Sequence, residues 1–228
     1  MLIYGISGAG KTTLAGSSDS VSEMRPVLFI DVEGGTLSLR NMFPNVEKVR
    51  IGSWQAFDSL YEELKTGKHE FKTIVVDSLT EVQKLSMEFT MDTRKGNDPM
   101  AIPEIKEWGI NTEHVRKFVR KFRDLPMNVI MTALVRVDVD KRTTMTTKKP
   151  SLTGKAADEV SAFFDIVAHL YIETVEEKNE RILLTDSIPG VIAKDRTNLL
   201  DKQILNPTMQ YIFKQIQEGE KLTNDLQA

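Results

Sequence analysis

Residues 5–12 read Gly5-Ile6-Ser7-Gly8-Ala9-Gly10-Lys11-Thr12, and this stretch decides how the rest of the chain is read. It satisfies the G-x-x-x-x-G-K-[ST] pattern of a phosphate-binding loop in full. A chance match in a chain of this composition is about one in a hundred, so the flanks carry weight. Ahead of it lies the apolar run Met1–Tyr4, which reads as a strand, and a helix is expected from Lys11. Glycines let backbone N–H groups converge on phosphate oxygens, and the start of a helix favours negative charge. Lys11 would reach the β- and γ-phosphates and the Thr12 hydroxyl would ligate Mg²⁺, with Gly8, Ala9, Gly10 and Thr13 completing the cradle. An ordinary glycine turn is the alternative.

Working outward, apolar runs at 27–32, 73–76 and 129–137 read as strands, with 46–51 as a short edge strand. The β-branched run Thr73–Val76 is typical of a strand buried on both faces. Helical spacing marks 54–64, 80–93, 115–122 and 155–164, while 94–109, with Gly96, Pro99 and Pro103, looks irregular. Residues 138–154 are polar, threonine-rich and aperiodic, which predicts a long loop. Strands are expected at 166–172, 181–185 and 191–193, and a helix from Pro207 to Gln217 stopped by Gly219. Alternating strands and helices followed by a run of strands predict one α/β domain, residues 1–218. Its sheet would be mainly parallel, flanked by helices, with a C-terminal antiparallel extension; residues 219–228 would be a frayed tail.

A triphosphate site needs an acidic group near the magnesium. Asp77, at the carboxyl end of Ile74-Val75-Val76, sits where ligands gather in open α/β sheets. It would hold the metal or its water, a role compatible with capping the helix that follows Ser78. Because Ser78 is not a carboxylate, the residue that activates water must come from elsewhere. Glu33, just past Phe29-Ile30-Asp31-Val32, is the candidate general base. Its position before Gly34 and Gly35 equally suits a plain polar turn, and the residues alone leave the two readings even.

Three segments in this order, Ile3–Leu14, Phe29–Glu33 and Val75–Ser78, resemble the RecA recombinase core. In particular the chain is similar to short, phage-encoded RecA-like ATPases linked to single-strand annealing, over 1 to about 200. The resemblance implies a Mg²⁺-dependent ATPase with Glu33 as catalytic glutamate, acting on single-stranded DNA in annealing or homologous recombination. It also implies a ring or filament of identical subunits, with a single-strand-binding protein as a further partner. Ile192-Ala193-Lys194-Asp195-Arg196 looks like the basic pair that reaches a neighbouring subunit's ATP, which makes Lys194 and Arg196 catalytic in trans; a solvated basic turn is the alternative. The family's coupling glutamine falls on Leu134, so Thr132 or Arg136 would have to substitute for it.

Net charge is −3, which argues against a general nucleic-acid coat. Locally, Arg136, Lys141, Arg142, Lys148, Lys149 and Lys155 outnumber Asp138 and Asp140, with Thr143, Thr144, Thr146 and Thr147 between them. Such groups bind phosphates, and the position matches the second DNA loop of the RecA-like proteins. The first loop would fall on 94–108, where Trp108 suits either base stacking or packing. Arg116, Lys117, Arg120, Lys121 and Arg123 read as the solvated face of an amphipathic helix. No cysteine occurs, which excludes thiolate zinc and disulfides, and with His69, His114 and His169 widely spaced no histidine-built metal centre is expected. No apolar run approaches a membrane span and no signal peptide is visible, so a cytoplasmic location is expected, in a bacterial host if the phage resemblance holds. Two other classes compete: a nucleotide-switched interaction protein, such as a loader or packaging accessory, and a small-molecule kinase, which the lysine- and threonine-rich loop suits least.

Overall fold

The computed structural model describes residues 1–228 apart from Asn97, Pro99, Lys155 and 226–228. The readings that touch Pro99, Lys155 and the chain's last residues therefore lie outside the described part. In β1 (Leu2–Gly5), Leu2 and Tyr4 face one side of a sheet and Ile3 the other. The same alternation recurs in β2 (Val27–Asp31), β4 (Thr73–Asp77) and the first half of β5 (Asn128–Val139), so both faces bury side chains.

These strands pair in parallel with β3 (Glu47–Arg50) and β7 (Ile166–Val175), in the order β7-β1-β5-β4-β2-β3. Beyond β7 the sheet turns antiparallel through β8 (Lys178–Leu184) and β10 (Gln203–Leu205), as the late run of strands predicts. One face is covered by α3 (Trp54–Lys65), α4 (Leu79–Lys95), α5 (Ile105–Arg123) and α6 (Ala156–Ala162), with Phe57, Val82, Phe118 and Val160 in that layer. The other face holds α1 (Lys11–Gly16), α2 (Leu37–Met42) and α7 (Met209–Asp225), with Leu14, Leu39 and Ile212. Among the described residues no helix is long and apolar enough to cross a membrane.

Four local readings need correction. Residues 138–154 are not an aperiodic loop: β5 runs on to Val139 and turns into antiparallel β6 (Thr146–Pro150), with Val135 opposite Pro150 and Val139 opposite Thr146. β-branched threonines suit a strand, and Asp140 closes the turn by accepting the N–H groups of Arg142 and Thr143 at 2.7 and 3.0 Å. Segment 94–109 is helical up to Lys95 and again from Ile105, because Glu104 and Glu107 form a reciprocal capping box that outweighs Gly109. Residues 191–193 are no strand; Val191 makes only isolated bridges, and β9 is Lys194–Asp195 against β7. Finally, α7 starts at Met209 and passes through Gly219, where a Cβ would run into Leu199.

Candidate functional site

At the carboxyl end of β1 the chain must turn tightly beside β7. A Cβ at Gly5 would collide with the Leu170 carbonyl, and Gly8 and Gly10 have φ of +79° and +99°, a region glycine enters without steric cost. The loop thus closes directly onto α1. Lys11 is buried there, its Nζ donating to the carbonyls of Gly5 and Ile6 at 3.1 and 2.9 Å. Burial pulls its pKa down, while the negative charges of Glu33 and Asp77 push it back up. A cation held this way gains most from an incoming anion.

Thr12 donates its hydroxyl to Oδ2 of Asp77 at 2.8 Å, and Thr132 donates to Oδ1 of the same carboxylate. Asp77 is almost fully buried, which raises its pKa against the opposing pull of those two hydrogen bonds and of Lys11. A hydroxyl and a carboxylate are hard oxygen donors, the few that Mg²⁺ takes from protein when phosphates supply the rest. Among the described residues no group of three or more His, Asp or Glu could hold a metal unaided. These residues therefore fit a magnesium that arrives with a nucleotide.

The β2–β4 register sets Asp31 beside Asp77, but the two carboxylates do different work. Asp31 accepts the Gly34 N–H at 2.6 Å and takes Arg50 at 3.3 Å, so it shapes the turn. Glu33 hangs beyond that turn, its N–H donating to the Asp77 carbonyl at 3.2 Å, and its side chain is exposed with no hydrogen-bond partner among the described residues. A carboxylate in that state is free to hold water.

Leu134 stands opposite Gly5 and contributes only backbone. Its N–H donates to Thr80 Oγ1 at 3.0 Å and its carbonyl accepts the Ser151 N–H at 2.6 Å. Thr80, one turn after Asp77, also donates to the Ser151 carbonyl at 3.2 Å. Thr80 carries no signal in sequence, because only the packing of α4 on β5 brings it to Leu134. Arg136, one of the two residues expected to substitute for a coupling glutamine, donates to the Leu152 carbonyl at 2.7 Å and pairs with Asp138 at 2.8 Å.

The remaining expected residues fall into two groups. On the β5–β6 hairpin, Lys149 is drawn onto Asp138 at 2.8 Å, which leaves Lys141, Arg142 and Lys148 exposed and without a carboxylate partner among the described residues. Arg94 and Lys95 are likewise engaged, by Glu107 and Glu104, and Trp108 stands exposed on α5. The basic face of α5 is paired as well, Lys121 with Asp58 and Arg120 over the Phe163 ring. Lys194 and Arg196 sit away from the loop, donating to the Ala162 carbonyl at 3.3 and 2.9 Å. Asp195 between them accepts the N–H groups of Thr197, Leu199 and Leu200, a turn-closing role that spacing could not show.

A glycine loop, a buried lysine and a threonine–aspartate pair at the carboxyl edge of a mostly parallel sheet define a P-loop NTPase core of RecA-like architecture. The chain belongs to the AAA domain family, whose model matches residues 1–197. Among solved structures it is similar to a KaiC-like protein from the hyperthermophilic archaeon Pyrococcus horikoshii OT3, with 18% identity, 80% of this chain and 76% of that one covered, and a TM-score of 0.50. It is also similar to the flagellar accessory protein FlaH of Methanocaldococcus jannaschii, with 10% identity, coverage of 90% and 82%, and a TM-score of 0.49. No curated protein is significantly similar to it in sequence.

Proposed function

We propose that the chain is a Mg²⁺-dependent ATPase working as a nucleotide-controlled interaction protein, with the β5–β6 hairpin as the part that the nucleotide positions. One observation carries this reading: Asp77 is shared between Thr12 of the P-loop helix and Thr132 of β5, the strand that continues into the hairpin. In this reading the N–H groups of Gly8–Thr13 and Lys11 bind the triphosphate, and Glu33 orients the attacking water. Thr12 and Asp77 hold Mg²⁺, which when bound offsets phosphate charge. A triphosphate draws Lys11 off the Gly5 and Ile6 carbonyls, and any shift of Asp77 is felt at Thr132. Amide hydrogen exchange at residues 136–150, compared between ATP and ADP in Mg²⁺ buffer, tests the switch alongside steady-state phosphate release. Identical exchange in both states would remove the switch, and absence of hydrolysis would remove the ATPase.

A second reading, single-stranded DNA binding in annealing or recombination by a homo-oligomer, is favoured by the three unpaired cations Lys141, Arg142 and Lys148 on that hairpin. Phosphate release with and without single-stranded DNA separates it from an interface that takes only protein.

A further inference from the structure

Beside the P-loop, on the α1 side of the sheet, lies a cleft of about 330 Å³ that shares Gly10 and Thr13 with the phosphate loop and extends away from it. Thr13 and Leu14 of α1, Met42, Phe43, Pro207 and Thr208 line it, together with Arg181 from β8. The Arg181 Nε lies 2.9 Å and its Cδ 3.2 Å from where a Cβ on Gly10 would be, so the side chain lies across the last glycine of the loop.

Two features make Arg181 more than a passing surface cation. Its backbone is clamped on both sides by Asn206: the Arg181 N–H donates to Asn206 Oδ1 at 3.2 Å, and the Arg181 carbonyl accepts the Asn206 N–H at 2.7 Å. The guanidinium itself has no carboxylate partner among the described residues, a state it shares with arginines 40, 120 and 142, whereas arginines 25, 50, 94, 116, 123, 136 and 196 each pair with one. An unneutralised planar cation over a mostly apolar cleft, next to a triphosphate loop, has the chemistry to pack on an aromatic ring that carries negative charge nearby.

We propose that this cleft receives the base and ribose of the nucleotide and that Arg181 packs its guanidinium plane on the base, in the same subunit as the P-loop it covers. This rests on the proposed binding of ATP at Lys11 and adds the subsite that tells a nucleoside triphosphate from bare triphosphate. Because Arg181 comes from the antiparallel extension, strands outside the parallel core take part in substrate choice.

The test compares equilibrium binding of Mg·ATP and of inorganic tripolyphosphate to wild type, Arg181→Ala and Arg181→Lys. The alanine variant should weaken ATP about tenfold and leave tripolyphosphate unchanged, with lysine recovering little because it lacks the plane. Unchanged ATP affinity in the alanine variant overturns the proposal while leaving the P-loop reading intact; an equal loss for both ligands overturns it by assigning Arg181 to the phosphates. If the wild type binds neither ligand, the nucleotide reading itself falls and takes this one with it. Photolabelling of the unmodified protein with 8-azido-ATP is a check independent of any variant: crosslinks should map to residues 42–43 or 207–208, and labelling confined to other segments overturns the assignment.

Discussion

Thr132, in the middle of β5, donates its hydroxyl to Oδ1 of Asp77, whose Oδ2 accepts the hydroxyl of Thr12 at 2.8 Å. One carboxylate is thereby held from two directions, by the P-loop helix and by the strand that becomes the hairpin. Removing the β5 half of this clamp with Thr132→Val keeps the side-chain shape. It also deletes a hydrogen bond that lowers the Asp77 pKa, so that pKa rises further. The acid limb of the rate profile should move to higher pH, and the Mg²⁺ concentration needed at pH 6 should increase. An unchanged pH profile in the folded variant would confine Thr132 to packing.

Lys11 and Glu33 separate binding from chemistry. Lys11→Ala should abolish productive Mg·ATP binding, since a buried triphosphate loses its charge-assisted partner. Glu33→Gln should leave ATP binding intact and slow hydrolysis by about two to four orders of magnitude, the range for a lost general base. Titration calorimetry and phosphate release distinguish the two variants, and wild-type turnover in Glu33→Gln would return Glu33 to the role of a turn residue.

On the hairpin the structure divides what the sequence groups together. Lys149 is committed to Asp138 and Arg136 to Asp138 and Leu152, so three cations, not five, are available to phosphates. Neutralising Lys141, Arg142 and Lys148 together should reduce the slope of log K against log salt for single-stranded DNA by about 2, at about 0.7 per phosphate contact. Lys149→Ala alone should leave that slope unchanged. A slope insensitive to the triple variant would move nucleic acid off the hairpin or out of the function.

Local chemistry made Lys11, Thr12 and Asp77 legible, because the loop pattern and the strand-end carboxylate each need only a few adjacent residues. What depended on register stayed hidden. Thr132 is an ordinary threonine until β4 and β5 are aligned, Thr80 until α4 is packed on β5, and Arg181 is an ordinary strand cation until β8 is laid beside β7. The hairpin was misread as loop because lysines and threonines at 141–149 carry no apolar alternation, although the pairing of Val135–Val139 with Thr146–Pro150 needs only backbone. The mainly parallel character of the core followed from the alternation of strands and helices, whereas the strand order and β9, a two-residue strand without periodic signal, did not.

His169 lies buried between the Tyr4 and Tyr171 rings, at centroid distances of 4.9 and 5.4 Å. Burial, helped by the Lys148 charge, lowers its pKa from 6.5 to about 4. Above pH 6.5 the imidazole is neutral both folded and unfolded, and its full contribution is present. As the pH falls toward 4 the unfolded chain takes up a proton that the folded one refuses, so stability declines. Between pH 7 and 5 the loss from this group should be about 2 kcal/mol. Urea titrations of wild type and His169→Gln at both pH values should differ by that amount; equal losses would assign the acid sensitivity elsewhere.

The last prediction concerns Lys194 and Arg196. β9 runs antiparallel to β7 and places Lys194 opposite Val167, the residue level with Leu2. The P-loop leaves the sheet at Gly5, about 10 Å further along at the usual rise per residue, so the pair lies toward the opposite edge of the sheet from the P-loop of its own subunit. In its own subunit the pair binds the Ala162 carbonyl at the end of α6, and Arg196 also reaches Asp165 at 3.3 Å. Basic groups at a helix carboxyl end stabilise it, so the alternative to catalysis in trans is a simple staple. A staple predicts that Lys194→Ala/Arg196→Ala melts earlier but hydrolyses ATP normally once folded. Completion of a neighbour's site predicts unchanged ATP binding with turnover lost in the assembled protein, because phosphoryl transfer builds negative charge that a second subunit's cations offset. Mixing this double variant with Lys11→Ala decides the matter. Mixed assemblies contain interfaces where an intact Lys11 meets an intact basic pair, so activity should return in the mixture although neither parent has it. Normal hydrolysis by the folded double variant on its own would leave Lys194 and Arg196 as the staple at the end of α6, and no recovery in mixtures shown to co-assemble would remove catalysis in trans.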